Sequence, residues 1–493
     1  MGDNSIASPV SLLPSDCWLK ILSYLSLEDH RSLLFVSKSS NCFSEPFLMK
    51  AIAWEWKPIP LRRVLLLFRA VLRKPERAYN IRHFSLLSQK SFDSAVESWH
   101  PPSCETDCKE EITHFQDVLE HAQHIVKKTA FPDSNTWTQA LDNGNPYAFV
   151  SILLSQLHNL QSLSLDYTFV WQSGFPGLML RHALSSKQLS QFNFLTHVDY
   201  GANVRRDEMS FGEPLIYEEP GYPECNPKQF PAWFYLPALR SLKIWLRTKK
   251  GIELPSPYGR PDLSRLERLI LTRATIEENQ APSILSLAPS LKTLHLGMAY
   301  RWGKEVALKD GPAIIEGLKY SKESLTNLSF GIEYYPPGKS DLHLQRGEYD
   351  LSTPFYSLLK QFPKLRSVEI PVNLLAGWTM EASSDLVSGL PEGVEQLCLR
   401  SDYAPVDYDS WHAEEMTELV TYNASKLKAH LPHLKRVWIR RWEYFAQDGE
   451  TVPLAKAARA ACAQEGIHFQ VVSDELSNGI WTENRLAPDR KVL

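Results

Sequence analysis

The chain has 493 residues, 43% hydrophobic and 22% charged, with a formal net charge of -4. These are globular proportions, so disorder throughout is excluded, and the slight acid excess excludes broad attraction to nucleic-acid phosphate. A single core stops growing well below this length, so several domains or a repeat array are expected.

Residues 1–11 read as a disordered lead, without the positive region and apolar core of a secretory signal. Val64 to Phe68 is too short an apolar run to cross a bilayer, and Ile6 stands where myristoylation wants Ser or Thr. The seven cysteines are odd in number and scattered, which fits reduced thiols in cytoplasm or nucleus.

Residues 12–56 read as three short helices. Leu13-Pro14 leads into Ser15 as N-cap and an apolar stripe at Trp18, Ile21, Leu22 and Leu25. Ser26 and Asp29 form a near capping box for a second helix, with Leu33, Leu34 and Val36 on its apolar side. A third helix is expected after Pro46, through Phe47, Leu48 and Ile52. Helices this short bury little area, so their apolar faces must be shared with the rest of the chain or with a partner.

The Leu13-Pro14 start, Asp16, Ile21-Leu22, Leu25, Leu33, Val36, Lys38 and Phe43 together resemble the F-box, with Asp16 where Glu is usual. That resemblance implies docking onto the SKP-type adaptor of a cullin-RING ubiquitin ligase, through Leu13, Pro14, Ile21, Leu22, Leu25, Leu33 and Val36. The alternative is a helical cap on a repeat array.

Leu61 to Arg73 reads as a helix, followed by a strand through Ile81, Phe84 and Leu86. An apolar pattern at x, x+3, x+6 and x+8 then recurs, with third positions at Leu163, Val198, Leu242, Leu269, Leu294, Leu328, Val368, Leu397 and Val437. The spacing is elastic, shortest from Leu269 to Leu294 and longest from Val198 to Leu242. Helices are expected between markers at Ala281 to Leu287, Ala313 to Tyr320, Phe355 to Phe362 and Ala413 to His430. One strand plus one helix cannot bury its apolar side alone, and stacking solves this. These runs resemble leucine-rich repeats, without the Asn or Cys of regular ones: Thr168, Ala274 and Ala299 stand there. The stretch LLLFRAVLRKPERAYNIRHFSL resembles fungal-type F-box proteins.

The expected fold class is therefore α/β: a three-helix F-box-like module, then an irregular strand-helix solenoid, or horseshoe, over residues 61–476. Insertions are expected at 89–149, with a helix from Glu111 to Lys128, and at 201–233, which is rich in Pro, Gly and charge. Pro453 to Gln464 reads as a closing helix, Ile467 to Val471 as a last strand, and residues 477–493 as a polar, frayed tail.

Phosphate-loop, nucleophile-elbow and zinc-protease motifs do not occur, and no cofactor is expected. Cys104, Cys108, His114, His121 and His124 are ligand types for zinc, yet His121 and His124 fit a solvated helix face more simply. Glu110-Glu111, Glu277-Glu278 and Glu414-Glu415 suit helix starts better than acid-base dyads.

If Leu242 and Ile244 face the core, alternation turns Ser241, Lys243 and Trp245 outward, and likewise Arg268, Ile270, His295, Glu369, Cys398, Arg436, Trp438 and Arg440. Loops carry Tyr334, Tyr335, Tyr403, Tyr408 and Trp411. The expected target-binding surface is Trp438, Arg436, Arg440, Tyr403, Trp411 and Trp245. The expected function is a non-enzymatic substrate adaptor that joins an SKP-type adaptor and cullin to a target protein, with neither nucleic acid nor membrane as partner. Two alternatives stay open: an F-box protein working outside ubiquitin transfer, and an enzyme within 89–149. Neither the target nor any regulation by modification is legible in the sequence.

Overall fold

The computed structural model describes residues 14–56, 61–88, 111–171, 174–203, 225–248, 251–252, 254, 259–301, 307–335, 352–377, 386–387, 389–402, 411, 413–441, 448–473 and 491–492. Two compact units emerge: the first takes the described residues of 1–88, 102–164 and 182–195, the second those of 165–181 and 196–493.

The first unit opens with α1 (Ser15–Leu22), α2 (Leu27–Leu33) and α3 (Lys38–Met49). The residue before α1 is Pro14, whose carbonyl accepts from Trp18 N; no side chain caps this helix, so Ser15 is its first residue and not its cap. Ser26 closes a full capping box on α2: Asp29 N donates to Ser26 Oγ at 3.2 Å and Ser26 N donates to Asp29 Oδ2 at 3.0 Å. The third helix starts eight residues before Pro46, capped by Ser37, and Pro46 lies inside it. Ile52 belongs to β1 (Ala51–Trp56), where the sequence suggested helix.

Next come α4 (Leu61–Arg73), α5 (Glu76–Asn80) and β2 (His83–Ser88), which pairs in parallel with β1. Residues 111–149, expected as part of an insertion, build this unit's core instead, in helices the last of which runs on to Leu154. In α6 (Gln116–Lys128), α7 (Ser134–Asp142) and α8 (Pro146–Leu154), Val118, Ala122, Val126, Trp137, Leu141 and Phe149 are buried, and α4 packs on α6 and α8. Asn145 caps α8 by accepting from Tyr147 N and Ala148 N, with Pro146 at the first helical position. β3 (Ser162–Leu165) then follows, its entry amides at Gln161 and Ser162 donating to Arg82 O.

The second unit holds α9 (Tyr167–Trp171), most of α10 (Phe175–Ala183), β4 (His197–Tyr200) and β5 (Ser241–Ile244). It continues with β6 (Arg268–Ala274), α11 (Gln280–Leu285), β7 (Thr293–Arg301), α12 (Gly311–Lys319), β8 (Asn327–Tyr335), α13 (Ser352–Leu359) and β9 (Ser367–Pro371). The run ends with α14 (Asn373–Ala376), β10 (Gln396–Arg400), α15 (Ala413–His430), β11 (Arg436–Arg441), α16 (Asp448–Gln464), β12 (His468–Ser473) and β13 (Lys491–Val492). Strands β4 to β12 pair in parallel in chain order, while β13 runs antiparallel on β12.

The repeat pattern explains this order. Its first two apolar positions close a turn, as where Leu239 N donates to Leu236 O, Leu266 N to Leu263 O and Leu434 N to Leu431 O. Its third position enters a strand, and Val198, Leu242, Leu269, Leu294, Leu328, Val368, Leu397, Val437 and Phe469 stand in register as one buried row. On the backbone, the carbonyl just ahead of each strand accepts both entry amides of the next: Thr196 O from Arg240 and Ser241, Arg240 O from Glu267 and Arg268, Glu267 O from Lys292 and Thr293. Part of the expected 201–233 insertion also packs inward, as two 3-10 turns at Pro227–Gln229 and Pro231–Tyr235 with Phe230, Trp233 and Phe234 buried. Lys491 and Val492, expected in a frayed tail, pair with Ser473 and Val472.

Candidate functional site

The three N-terminal helices have a small core. Trp18 stacks on Phe43 with ring centroids 6.1 Å apart, and His30 on Phe47 at 4.8 Å. Leu22 is 1% exposed and belongs to that core, not to a docking face. Leu25 and Leu33 are half-buried, Pro14 is exposed, and Leu13 lies outside the described residues. Ile21 is 45% and Val36 69% exposed. Tyr24 at 79% and Phe35 at 89% join them, with Leu19 and Leu27, none of which the repeat of apolar positions had marked. Their signal was present: apolar residues off the core stripe of an amphipathic helix mark a second apolar face. The two Ser26 hydrogen bonds hold the Asp29 carboxyl below the ordinary carboxylate range and fix the turn between α1 and α2.

The second face of the β4–β12 sheet carries polar rows. The strand-entry row runs His197, Ser241, Arg268, Thr293, Asn327, Ser367, Gln396, Arg436, His468, and the next runs Asp199, Lys243, Ile270, His295, Ser329, Glu369, Cys398, Trp438, Gln470. Alternation assigned these residues to the correct side, but in the middle strands that side is closed. Ile270, His295, Glu369, Cys398 and Arg440 are buried, where exposure was expected.

That face carries a network of ion pairs across strands. Glu369 Oε1 accepts from Arg400 Nη1 at 2.9 Å and from Arg440 Nη1, and Glu369 Oε2 accepts from Ser329 Oγ at 2.9 Å. Arg400 Nε lies 3.0 Å from both oxygens of Asp402, and Arg273 Nε donates to Glu333 Oε2 at 2.8 Å. Asp402 Oδ2 also accepts from Ile332 N at 2.7 Å, where β8 has parted from β9. Burial works against the Arg400 charge, but Asp402, Glu369 and Glu333 outweigh it and raise its pKa. His295 Nδ1 meets Ser329 Oγ at 2.7 Å; burial, then Arg400 and Arg440, hold the imidazole well below its usual pKa and therefore neutral. Glycines make room for the long side chains: a Cβ on Gly331 would sit 2.7 Å from Arg400 Nη2, and one on Gly297 2.8 Å from His295 Nε2. The His295, Ser329, Glu369 series has the residue types of a hydrolytic triad. With Ser329 donating to Glu369 and all three buried, it serves the core.

Of the expected target-binding residues, Arg440 is consumed by Glu369 inside this network. Trp411 is buried with Nε1 donating to Gly377 O at 3.0 Å, and Trp245 is buried edge-on to Tyr167 with ring centroids 6.3 Å apart. Those three are structural. Large indoles and guanidiniums close over the sheet because they find partners there. Tyr403 and Tyr408 lie outside the described residues. Arg436 is exposed and Trp438 half-buried, packed on Cys398 and Val472, with its Nε1 donating to Gln470 Oε1 at 3.1 Å and Arg436 Cζ 6.0 Å from its ring. Cys104 and Cys108 also lie outside the described residues, among which no three His, Cys, Asp or Glu side chains gather to hold a metal. Among the described residues no helix is long and apolar enough to cross a membrane.

No curated protein matches the chain. Among solved structures it is similar to the leucine-rich repeat-containing protein LegL7 from Legionella pneumophila, at 15% identity and a TM-score of 0.32, covering 66% of this chain and 87% of that one. Residues 10–45 match the family model of the F-box domain, which spans α1, α2 and most of α3. The chain thus carries an F-box domain at its N-terminal helices, the module that binds SKP-type adaptors, joined to a leucine-rich-repeat-like array of parallel strands and helices.

Proposed function

We propose that this protein is the target-recognition subunit of an SKP-cullin-F-box ubiquitin ligase, working in cytoplasm or nucleus without catalysing a reaction of its own. The F-box docks on the adaptor, and the strand face of the second unit holds a target protein. Its contribution is proximity, which raises the effective concentration of target lysines near a ubiquitin-charged enzyme. The observation that carries the reading is the apolar F-box surface of Ile21, Tyr24, Phe35 and Val36, exposed among the described residues where a folded protein ordinarily buries such side chains.

The test is co-purification of the adaptor with the full chain and with Ile21→Asp/Val36→Asp. Charge placed in an apolar interface costs several kcal/mol, so adaptor capture is expected to fall about 100-fold or more with the melting temperature unchanged. Undiminished capture would refute the docking face. A captured target whose ubiquitination and lifetime do not respond to loss of this chain would favour a role outside ubiquitin transfer. Turnover of a small substrate by the purified protein would favour an enzyme.

A further inference from the structure

The residues immediately ahead of the strands in the second unit form an edge row: Thr196, Arg240, Glu267, Lys292, Thr326, Arg366, Glu395 and Lys435. Its charged members are matched almost throughout. Lys292 pairs with Glu267 at 3.2 Å and Lys435 with Glu395 at 2.6 Å, while Arg366 donates to Gly393 O at 2.9 Å. Arg240 is the exception, exposed and without an ion-pair partner among the described residues. Beside it the register sets His197, Ser241 and Arg268 on three adjacent strands, with Lys243 one step further in, next to Asp199. Arg268 also forms no ion pair among the described residues. Neighbouring strands lie about 4.8 Å apart, so Arg240, Arg268 and the His197 imidazole fall within roughly 10 Å of one another. Ser241, in register between His197 and Arg268, is the smallest side chain of the three.

We propose that Arg240 and Arg268, with His197 beside them, recognise the carboxylates of an extended acidic segment of a partner protein. The inference rests on the reading that the strand face holds a protein target, and it names the chemistry of that target. Two guanidinium forks suit carboxylates geometrically, and the acidic segment supplies the counter-charge this stretch of the edge row lacks. The electrostatics agree: burial, then Arg268, Arg240 and Lys243, push the His197 pKa down, as expected where positive charge is in excess. Nucleic acid does not fit, because Asp199 and Glu267 interrupt the positive stretch after a few residues, whereas a phosphate backbone calls for a continuous one.

The experiment uses the full chain co-purified with its adaptor and fluorescein-labelled peptides: one alternating glutamate with glycine, its glutamine counterpart, and a phosphoserine version. The glutamate peptide is expected to bind at least about tenfold more tightly than the glutamine peptide, to weaken with added salt, and to lose that preference in Arg240→Gln/Arg268→Gln. If the double variant melts lower, the exposed Arg240→Gln alone decides the question, with a several-fold loss expected. Equal binding of the glutamate and glutamine peptides, or binding indifferent to the arginines, overturns the proposal. Binding of the phosphoserine peptide alone overturns it too, since the row would then read phosphate. Capture of a cellular target by the same preparations, unaffected by Arg240→Gln/Arg268→Gln, sinks this inference and leaves the proposed function standing. Failure to capture adaptor or target sinks that function instead.

Discussion

Replacing Glu369 by Gln probes the closed half of the strand face. Among the described residues the charged groups joined there, Arg273, Arg400 and Arg440 against Glu333, Glu369 and Asp402, balance to zero, and Glu369 receives two guanidiniums and the Ser329 hydroxyl while fully buried. The substitution leaves one uncompensated buried positive charge, and breaking such a pair ordinarily costs about 3–5 kcal/mol. An amide oxygen still accepts from one arginine, which puts the expectation near the lower end, about 3 kcal/mol. Hydrogen exchange at the amides of β9, β10 and β11 reads the loss, as an opening equilibrium raised by roughly two orders of magnitude. Adding Arg440→Met restores neutrality, so the double variant should recover at least about 1 kcal/mol relative to the sum of the single ones. A single-variant loss below about 1 kcal/mol, or strict additivity in the pair, would refute the claim that these charges act as one unit.

His295 predicts a pH dependence. Its folded pKa lies well below the ordinary 6.5, so below that pH the unfolded chain binds a proton that the folded one refuses. Stability is therefore full above about pH 6.5 and falls as the pH drops, by up to about 1.4 kcal/mol per unit, and His295→Gln should flatten that slope in urea titrations at pH 7.5 and 5.5. Gly177→Ala sets a Cβ 2.1 Å from the Gln229 carbonyl oxygen, a backbone atom with no freedom to rotate away; a loss of about 3 kcal/mol is expected, and a melting curve like wild type would count against this packing. Deleting residues 489–493 removes the antiparallel partner of Val472 and Ser473 at the end of β12, so increased concentration-dependent self-association in analytical ultracentrifugation is expected, and self-association unchanged from wild type would refute it.

The fold was legible where local chemistry decides it. Each marker from Val198 to Val437 stands in the register row because the pattern encodes a turn followed by a strand. The Ser26 capping box was readable because its partners lie three residues apart. Pro46 misplaced the start expected for α3, since Ser37 had already begun that helix and a proline inside it removes only one donor. The fate of the polar strand face was hidden for a different reason: alternation tells on which side a residue lies, not whether that side meets water. Glu369 finds Arg400 and Arg440 at separations of 31 and 71 residues, and no window of sequence reports a pairing that distant.

Once the pairings are known, the same face divides by charge balance. Between β6 and β11 each buried cation among the described residues has a carboxylate within reach, so its charge is already matched. Toward β4 and β5 the balance fails at Arg240 and Arg268, and toward β11 and β12 Arg436 stays in solvent over a half-buried Trp438. A partner gains most where it supplies what the chain lacks, a counter-charge at the first place and an aromatic or apolar surface at the second. The residues best placed for recognition are thus those the internal network leaves over, which is why Arg436 qualifies and Arg440, four residues on along the same strand face, does not.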